Sequence, residues 1–378
     1  MIINNVKLVL EDDVVQGSLE MQDGVIRAFA ESRSRLPAAL DGEGGWLLPG
    51  LIELHTDNLD KFFTPRPKVD WPAHSAMSSH DALMVASGIT TVLDAVAIGD
   101  VRDGGDRLEN LEKMINAVEE TQKRGLNRAE HRLHLRCELP HHTTLPLFEK
   151  LADRDAVTLV SLMDHSPGQR QYVSLEKYRE YYQGKYHLTD DEMDRFEAEQ
   201  IALAERWSTP NRQSIAAMCQ ARHIALASHD DATYAHVHES HLMGSVIAEF
   251  PTTFEAAKAS RQHGMNVLMG APNIVRGGSH SGNVAAHKLA ELGLLDILSS
   301  DYYPASLLDA AFRVADDASN TFTLPQAICL VTRNPARALK LDDRGVVAQG
   351  KRADLVLAHR KGDHVHIDHV WRQGKRVF

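Results

Sequence analysis

A histidine and an aspartate lie two residues apart, His55 and Asp57, at the end of a largely apolar run that begins at Leu48. If that run forms a strand, side chains at positions i and i+2 point to the same side, so these two side chains converge on one point. An imidazole and a carboxylate presented together make half of a site for a divalent metal ion. Such a pair also occurs by chance, so the metal hypothesis depends on further donors downstream.

Further imidazoles and carboxylates follow other apolar segments of the chain. Sites in parallel barrels are built at the carboxyl ends of strands, so we select the donors that come directly after such segments. The selected residues are His55, Asp57, Glu138, His165, His229 and Asp301. Three imidazoles and three carboxylates are enough to hold two divalent ions, with Glu138 shared between them. The neighbours that compete for these roles are His141 and His142 beside Glu138, Asp164 beside His165, and Asp230 and Asp231 beside His229.

The string LPGLIELHTD at 48–57 resembles the first barrel strand of the amidohydrolase superfamily, whose members hold a metal centre in a (β/α)8 barrel. The strings NPA at 334–336 and GKRADL at 350–355 are similar to the end of such chains. The resemblance implies one ion held by His55, Asp57 and Asp301, a second held by His165 and His229, and Glu138 shared. It also implies that Asp301 accepts a proton during catalysis. We expect both ions to be zinc. Manganese is the alternative, because Asp57 replaces the usual second histidine with a harder oxygen ligand.

The longer string HTDNLDK at 55–61, followed by PRP at 65–67, is similar to a narrower branch of that superfamily, the diphosphatases of phosphonate breakdown through the carbon–phosphorus lyase pathway. This resemblance implies a ribose 5-triphosphate substrate that carries a 1-methylphosphonate and is cut to the 5-phosphate and pyrophosphate. The alternative is hydrolysis of a C–N bond in a cyclic amide or N-acyl compound on the same scaffold. A third reading is a barrel without catalytic activity that serves in assembly.

Basic residues near the predicted strand ends are candidates for binding the phosphates of an anionic substrate. Lys61 and Arg66 follow the first barrel strand in a proline-rich loop, and Arg170 follows His165. A glycine-rich segment after the seventh strand adds Arg276, Gly277, Gly278 and His280. Paired glycines let backbone N–H groups turn toward an anion, and late loops of barrels frequently bind phosphate. Solvated charge and plain loop flexibility are the alternative explanations.

Eight apolar segments separated by helical ones predict a (β/α)8 barrel of the TIM type. The predicted strands cover 52–55, 89–95, 133–138, 157–164, 223–228, 245–249, 266–270 and 295–300. Short strands at both ends of the chain predict a small β-sandwich domain built from residues 1–49 and 341–378, with the barrel over 50–340. The segment 174–222 is longer than one crossover helix needs and predicts a helical insertion, in which Thr189 and Glu192 have capping-box spacing.

The composition is that of a globular protein, with 378 residues, 43% hydrophobic and 25% charged. The net charge of −11 gives no support for binding nucleic acid, so we expect a phosphorylated small molecule as the partner. Cys137, Cys219 and Cys329 are too few and too scattered for a disulfide framework or a cysteine metal cluster. The first residues lack signal-peptide features, and no apolar run of about 18 residues exists, so we expect a cytoplasmic protein without a membrane span. A homo-oligomer is compatible with the sequence.

Overall fold

The computed structural model of the chain describes residues 1–99, 106–279 and 281–378. The chain forms two compact units. The first contains Met1–Asp94, Asn116–Arg132 and Met269–Phe378, and the second contains Ala95–Ile115 and Leu133–Leu268.

The strands fall into two sheets. In chain order they are β1 (Ile2–Val9), β2 (Val14–Gln22), β3 (Val25–Ala30), β4 (Leu40–Asp41), β5 (Trp46–Pro49), β6 (Leu51–Thr56), β7 (Ile89–Ile98), β8 (Glu130–Glu138), β9 (Val157–Met163), β10 (Ala225–His229), β11 (Ile247–Glu249), β12 (Asn266–Gly270), β13 (Ile297–Ser299), β14 (Leu355–Lys361), β15 (His364–Arg372) and β16 (Lys375–Arg376).

The helices lie mostly between the strands β6 to β13 and after them. In chain order they are α1 (Asn58–Phe63), α2 (Ala73–Ala86), α3 (Asp106–Lys123), α4 (Thr144–Leu151), α5 (Leu175–Tyr186), α6 (Asp190–Ala221), α7 (Tyr234–Leu242), α8 (Phe254–Gln262), α9 (Ala271–Arg276), α10 (Ala286–Glu291), α11 (Ser306–Asp316), α12 (Leu324–Cys329) and α13 (Arg333–Ala338). A short 3₁₀ turn covers Arg170–Tyr172.

Strands β6 to β13 form one sheet in which spatial neighbours follow chain order. Pairs such as β8 with β9 and β9 with β10 are parallel. A further parallel bridge joins Thr56 to Asp301, which nearly closes the sheet into a barrel. Every residue of β6 is buried, as expected for a parallel strand that is covered on both faces. The predicted barrel fold is therefore confirmed.

All eight predicted barrel strands are present, and their ends shift by a few residues. The largest difference at a strand start is at β8, which begins at Glu130 and not at residue 133. At β10, His223 lies before the strand in a left-handed conformation with φ of 55°, which an extended strand does not accommodate.

The remaining strands form a separate sheet from both ends of the chain, in the order β16-β15-β14-β5-β1-β2-β3, with β4 paired to β1. Its centre joins β5 to β14 in antiparallel pairing, with Leu48 opposite Val356. Buried side chains from both chain ends pack on this sheet, among them Leu8, Leu47 and Trp371. The prediction that both termini build a separate sheet is confirmed, and that sheet has eight strands; the domain bounds 1–49 and 341–378 stay a prediction.

Two helices, α5 and α6, occupy most of the segment 174–222. The capping box predicted at the start of α6 is confirmed, because Thr189 accepts from the backbone N–H of Glu192 and the Glu192 side chain accepts from that of Thr189. An aromatic core holds the two helices together and includes Tyr178, Tyr182 and Phe196. The segment is thus a folded helical hairpin with its own apolar contacts.

The three cysteines are free and buried, as predicted. Burial raises the pKa of each thiol, and for Cys219 it reaches about 12. Thiols of this kind behave as small apolar side chains rather than as metal ligands. Among the described residues, no helix has the length and apolar character needed to cross a membrane.

Candidate metal centre

The first donor group consists of His55, Asp57 and Asp301, all in the first compact unit. His55 Nε2 lies 3.6 Å from Asp57 Oδ2 and 3.9 Å from Asp301 Oδ1. Two donors on one zinc ion, each about 2.1 Å from it, are roughly 3–3.5 Å apart. The three side chains therefore stand near the spacing of ligands that share one ion.

Backbone hydrogen bonds fix the first donor group. The N–H of Asp57 donates to the carbonyl of Asp301, and the N–H of Asp301 donates to the carbonyl of His55, each at 3.1 Å. Asp301 has a left-handed φ of 54°, so the chain turns sharply where this carboxylate leaves the barrel. Asp57 is the first residue after β6, and its carboxylate lies close to the His55 ring, as the sequence predicted.

Glu53 supports the first donor group and was missed in the sequence analysis. It is fully buried and accepts from the backbone N–H groups of His55 at 2.8 Å and Ser300 at 2.7 Å. Burial raises the pKa of Glu53 to about 7, although these hydrogen bonds favour its charged form. The signal was available, because Glu53 is a lone carboxylate in an apolar strand and shares the side of His55.

The second donor group consists of His165, His229 and Asp230, all in the second compact unit. Asp230 Oδ2 lies 3.5 Å from His165 Nε2 and 3.3 Å from His229 Nε2. The two imidazole rings are perpendicular, with centroids 5.4 Å apart. This spacing again matches donors that share one ion.

The other ring nitrogens of the second donor group are held by glutamates. His165 Nδ1 lies 2.6 Å from Glu138 Oε1, and His229 Nδ1 lies 2.6 Å from Glu249 Oε1. A carboxylate on one imidazole nitrogen orients the ring and leaves the opposite nitrogen for a metal. Although burial lowers the pKa of His165, the paired Glu138 carboxylate raises it above its ordinary range.

The structure also distinguishes the residues beside His165 and His229 that the sequence left as alternative metal ligands. Asp230 has a left-handed φ of 56°, which turns the chain directly after β10 and brings its carboxylate to both imidazoles. Glu138 meets His165 at hydrogen-bond distance, as a partner of Nδ1. A ligand role for Glu138 stays a prediction, and Asp230 joins the candidates.

Two buried arginines lie behind the second donor group. Arg170, which is 2% exposed, binds Asp231 at 2.9 Å, and Arg212 of α6 binds Glu239 at 2.9 Å. Arg212 also lies 3.8 Å from Asp164, the residue before His165. The charge of Arg170 is matched by protein carboxylates, and its contact with substrate stays a prediction.

The predicted phosphate-binding residues differ in their surroundings. Lys61 is exposed at the end of α1, with Nζ 3.4 Å from the carbonyl of Tyr302, and Arg66 is exposed in the loop that follows. Arg276 is the exposed last residue of α9. The substrate roles of all three stay predictions, and His280 lies outside the described residues.

The glycine pair after α9 corrects one expectation. Gly277 donates its N–H to the carbonyl of Ile274, and Gly278 donates to that of Asn273. Gly277 has a φ of 79°, the left-handed conformation that ends many helices. These two N–H groups therefore cap α9 and do not face an anion.

The donor chemistry fits divalent ions. Each group combines imidazole nitrogen with carboxylate oxygen, a set that suits zinc and also admits manganese. A parallel barrel with histidines and aspartates of this kind at its strand ends defines the class of metal-dependent hydrolases to which amidohydrolases belong. A model of the Amidohydrolase family matches residues 256–378.

The chain belongs to the amidohydrolase family. It is 85% identical, over 100% of both chains, to the alpha-D-ribose 1-methylphosphonate 5-triphosphate diphosphatase of Escherichia coli strain K12. An adenine deaminase of Nitratidesulfovibrio vulgaris strain DP4 is 26% identical over 94% of this chain and 54% of its own length. The fold is shared with the crystal structure of 5-methylcytosine deaminase from Klebsiella pneumoniae, with a TM-score of 0.64, 14% identity, and 100% and 97% of the two chains covered.

Proposed function

We propose that the chain hydrolyses α-D-ribose 1-methylphosphonate 5-triphosphate to the 5-phosphate and pyrophosphate in phosphonate breakdown. The structural observation that carries the hydrolytic part is the pair of donor groups, in which nitrogens and oxygens stand 3.3 to 3.9 Å apart. The substrate comes from the 85% identical relative, which shares its full length with this chain.

We assign one zinc ion to each donor group, with manganese as the alternative metal. His55, Asp57 and Asp301 would hold the first, and His165, His229 and Asp230 the second, with Glu138 as the further candidate. Bound divalent ions would supply Lewis acidity and make a water molecule easier to deprotonate. Asp301 is the proton acceptor, because its carboxylate is part of a donor group and is still 28% exposed to solvent.

Lys61, Arg66 and Arg276 are the candidates for holding the phosphates. Each is exposed, and the chain as a whole carries a net charge of −11, so a polyanion needs local positive charge to bind. Arg66 is preceded and followed by proline, which limits the conformations of its loop.

The site of bond cleavage tests this proposal. Hydrolysis in ¹⁸O-labelled water should place the label in the sugar 5-phosphate, because attack on the α phosphorus makes pyrophosphate the leaving group. Label in pyrophosphate or orthophosphate would contradict it. Adenine, hydantoin and dihydroorotate serve as controls for C–N hydrolysis, and turnover of any of them above that of the triphosphate would favour the alternative activity.

A further inference from the structure

Four buried side chains form a separate cluster in the first compact unit. His80 and Asp81 lie on α2, Asp94 lies on β7, and His131 lies on β8. Each is at most 2% exposed. None of them belongs to either donor group.

Imidazoles and carboxylates alternate along this cluster, which we call the buried relay. Asp81 Oδ1 lies 2.9 Å from His131 Nε2, His131 Nδ1 lies 2.8 Å from Asp94 Oδ2, and Asp94 Oδ1 lies 2.6 Å from His80 Nε2. Asp81 also accepts from the backbone N–H groups of Arg128 and Ala129. The relay thus ties α2, β7 and the start of β8 together.

The relay contains the residue types of a metal site, yet its distances are those of hydrogen bonds. Nitrogen and oxygen atoms stand 2.6 to 2.9 Å apart, against 3.3 to 3.9 Å in the two donor groups. Ligands that share one zinc ion are roughly 3–3.5 Å apart, whereas a proton between nitrogen and oxygen gives about 2.7–2.9 Å. Hydrogen bonds therefore join the members of the relay.

Charge supports the same assignment. Burial lowers the pKa of His131, but Asp94 and Asp81 together raise it to about 9. The two histidines hold the pKa of Asp94 below its ordinary range in spite of burial. His131 is then an imidazolium between two carboxylates, an arrangement that is stable in a dry interior only while every member is present.

The relay contacts the strand that carries His55 and the helix that follows Asp57. Asp94 is the strand partner of Thr56, the residue between these two ligands. At the other end, the His80 ring packs on Phe62 of α1, with centroids 5.7 Å apart, and α1 begins directly after Asp57. A shift of His80 or Asp94 would therefore displace β6 or α1.

We propose that the buried relay positions the first donor group and so sets its affinity for metal. The inference rests on the proposed function only in taking this group as a metal site. Hydrogen bonds behind metal ligands commonly change metal affinity by 10- to 100-fold. Here the effect passes through β6, which contains His55, and through α1, which follows Asp57.

Metal retention against a chelator series, measured by elemental analysis on purified zinc-loaded protein, tests this. His80→Ala and His80→Phe should each weaken one metal equivalent about tenfold or more and leave the other unchanged. His80→Phe fills the space of the imidazole and keeps the contact with Phe62. This variant therefore tests the proposal even if His80→Ala folds poorly. His80→Gln, which retains a donor toward Asp94, should recover most of the wild-type retention.

Two controls separate positioning from general destabilisation. His359→Ala breaks another histidine–carboxylate hydrogen bond, to Asp368 in the terminal sheet, and should retain metal as wild type does. In an Asp57→Asn background, His80→Ala should cause no further loss. Wild-type retention in both His80→Ala and His80→Phe, or equal loss in His359→Ala, would overturn the inference. Wild-type protein that binds metal but leaves the triphosphate intact would refute the proposed function alone.

Discussion

Asp301 has a side chain in the first donor group and a backbone N–H that holds its turn in place. Its carboxylate stands 3.9 Å from His55 Nε2 within a donor group, and its backbone N–H donates to the His55 carbonyl. The backbone hydrogen bond to His55 does not depend on the side chain at position 301. A substitution there should therefore change the chemistry of the side chain while the backbone keeps its position.

Asp301→Asn should therefore fold normally and lose turnover. Asparagine keeps the size and one oxygen but cannot accept a proton, so we expect a drop of roughly 10²-fold or more at equal metal content. Asp309→Asn is the matched control, since Asp309 has similar side-chain exposure (29% against 28%) and pairs with Arg313 of its own helix. Wild-type turnover in metal-replete Asp301→Asn would remove Asp301 from the mechanism.

The sequence predicted which side chains lie close together where the end of a strand alone decides their position. His55 lies near the end of an apolar strand and Asp57 comes directly after that strand, and the structure brings both together with Asp301. Asp230 could not be chosen over its neighbours, because its approach to His229 depends on a left-handed backbone that aspartate adopts only in some contexts. The pattern of residue types does not predict a local turn of this kind.

The secondary structure around a loop determines which of its groups can bind an anion. The same pair of glycines can cradle an anion or end a helix, and at Gly277 and Gly278 the preceding helix α9 takes both N–H groups. The sequence could not settle this, because α9 is a six-residue helix without strong periodicity. The side chains of Arg276 on α9 and Lys61 on α1 then stay the candidates for the predicted phosphate contacts.

Lys61→Ala and Arg276→Ala should each raise KM for the triphosphate, because a charge-assisted contact contributes roughly 1.5–3 kcal/mol. Activity on a neutral amide, where any is found, should change far less. Lys288→Ala is the control, since Lys288 is 60% exposed and pairs with Glu291 on its own helix. Equal losses on both substrate classes would assign the two residues to the fold.

Within the first compact unit, ion pairs join a barrel strand to the segments near the C-terminal end of the chain. Glu130, the first residue of β8, binds Arg344 at 2.5 Å and Arg352 at 3.0 Å. Burial raises the pKa of Glu130, but these arginines outweigh it and hold the value at about 2. The folded pKa lies below the ordinary value of 4.5, so the interaction stabilises the fold above that pH and is lost as the pH falls toward 2.

Glu130→Gln should accordingly lower the free energy of unfolding at neutral pH, by an amount on the order of 3 kcal/mol. The difference from wild type should shrink below pH 4.5 and vanish near pH 2, the two limits set by the pKa values. Urea unfolding at several pH values measures it, with the exposed Glu176→Gln as control. A difference that stays constant with pH would refute the charge assignment.

The barrel and the terminal sheet were predictable because long apolar segments and their order decide them. Eight strands separated by helices leave few arrangements other than a barrel. The buried relay was not predictable, since its members come from α2, β7 and β8 and nothing in their spacing marks them. Contacts between distant segments appear only once the fold is known.

The pairing of β5 with β14 also has a consequence for biosynthesis. Leu48 and Val356 are partners in the centre of the terminal sheet, roughly 300 residues apart in the chain. At about 5–20 residues per second, a ribosome adds the second partner roughly 15–60 s after the first. Through that interval β5 has an open edge, and open edges of apolar strands favour aggregation. Until its last strands emerge, the nascent chain avoids aggregation only if association through this open edge is slow or a chaperone covers the edge.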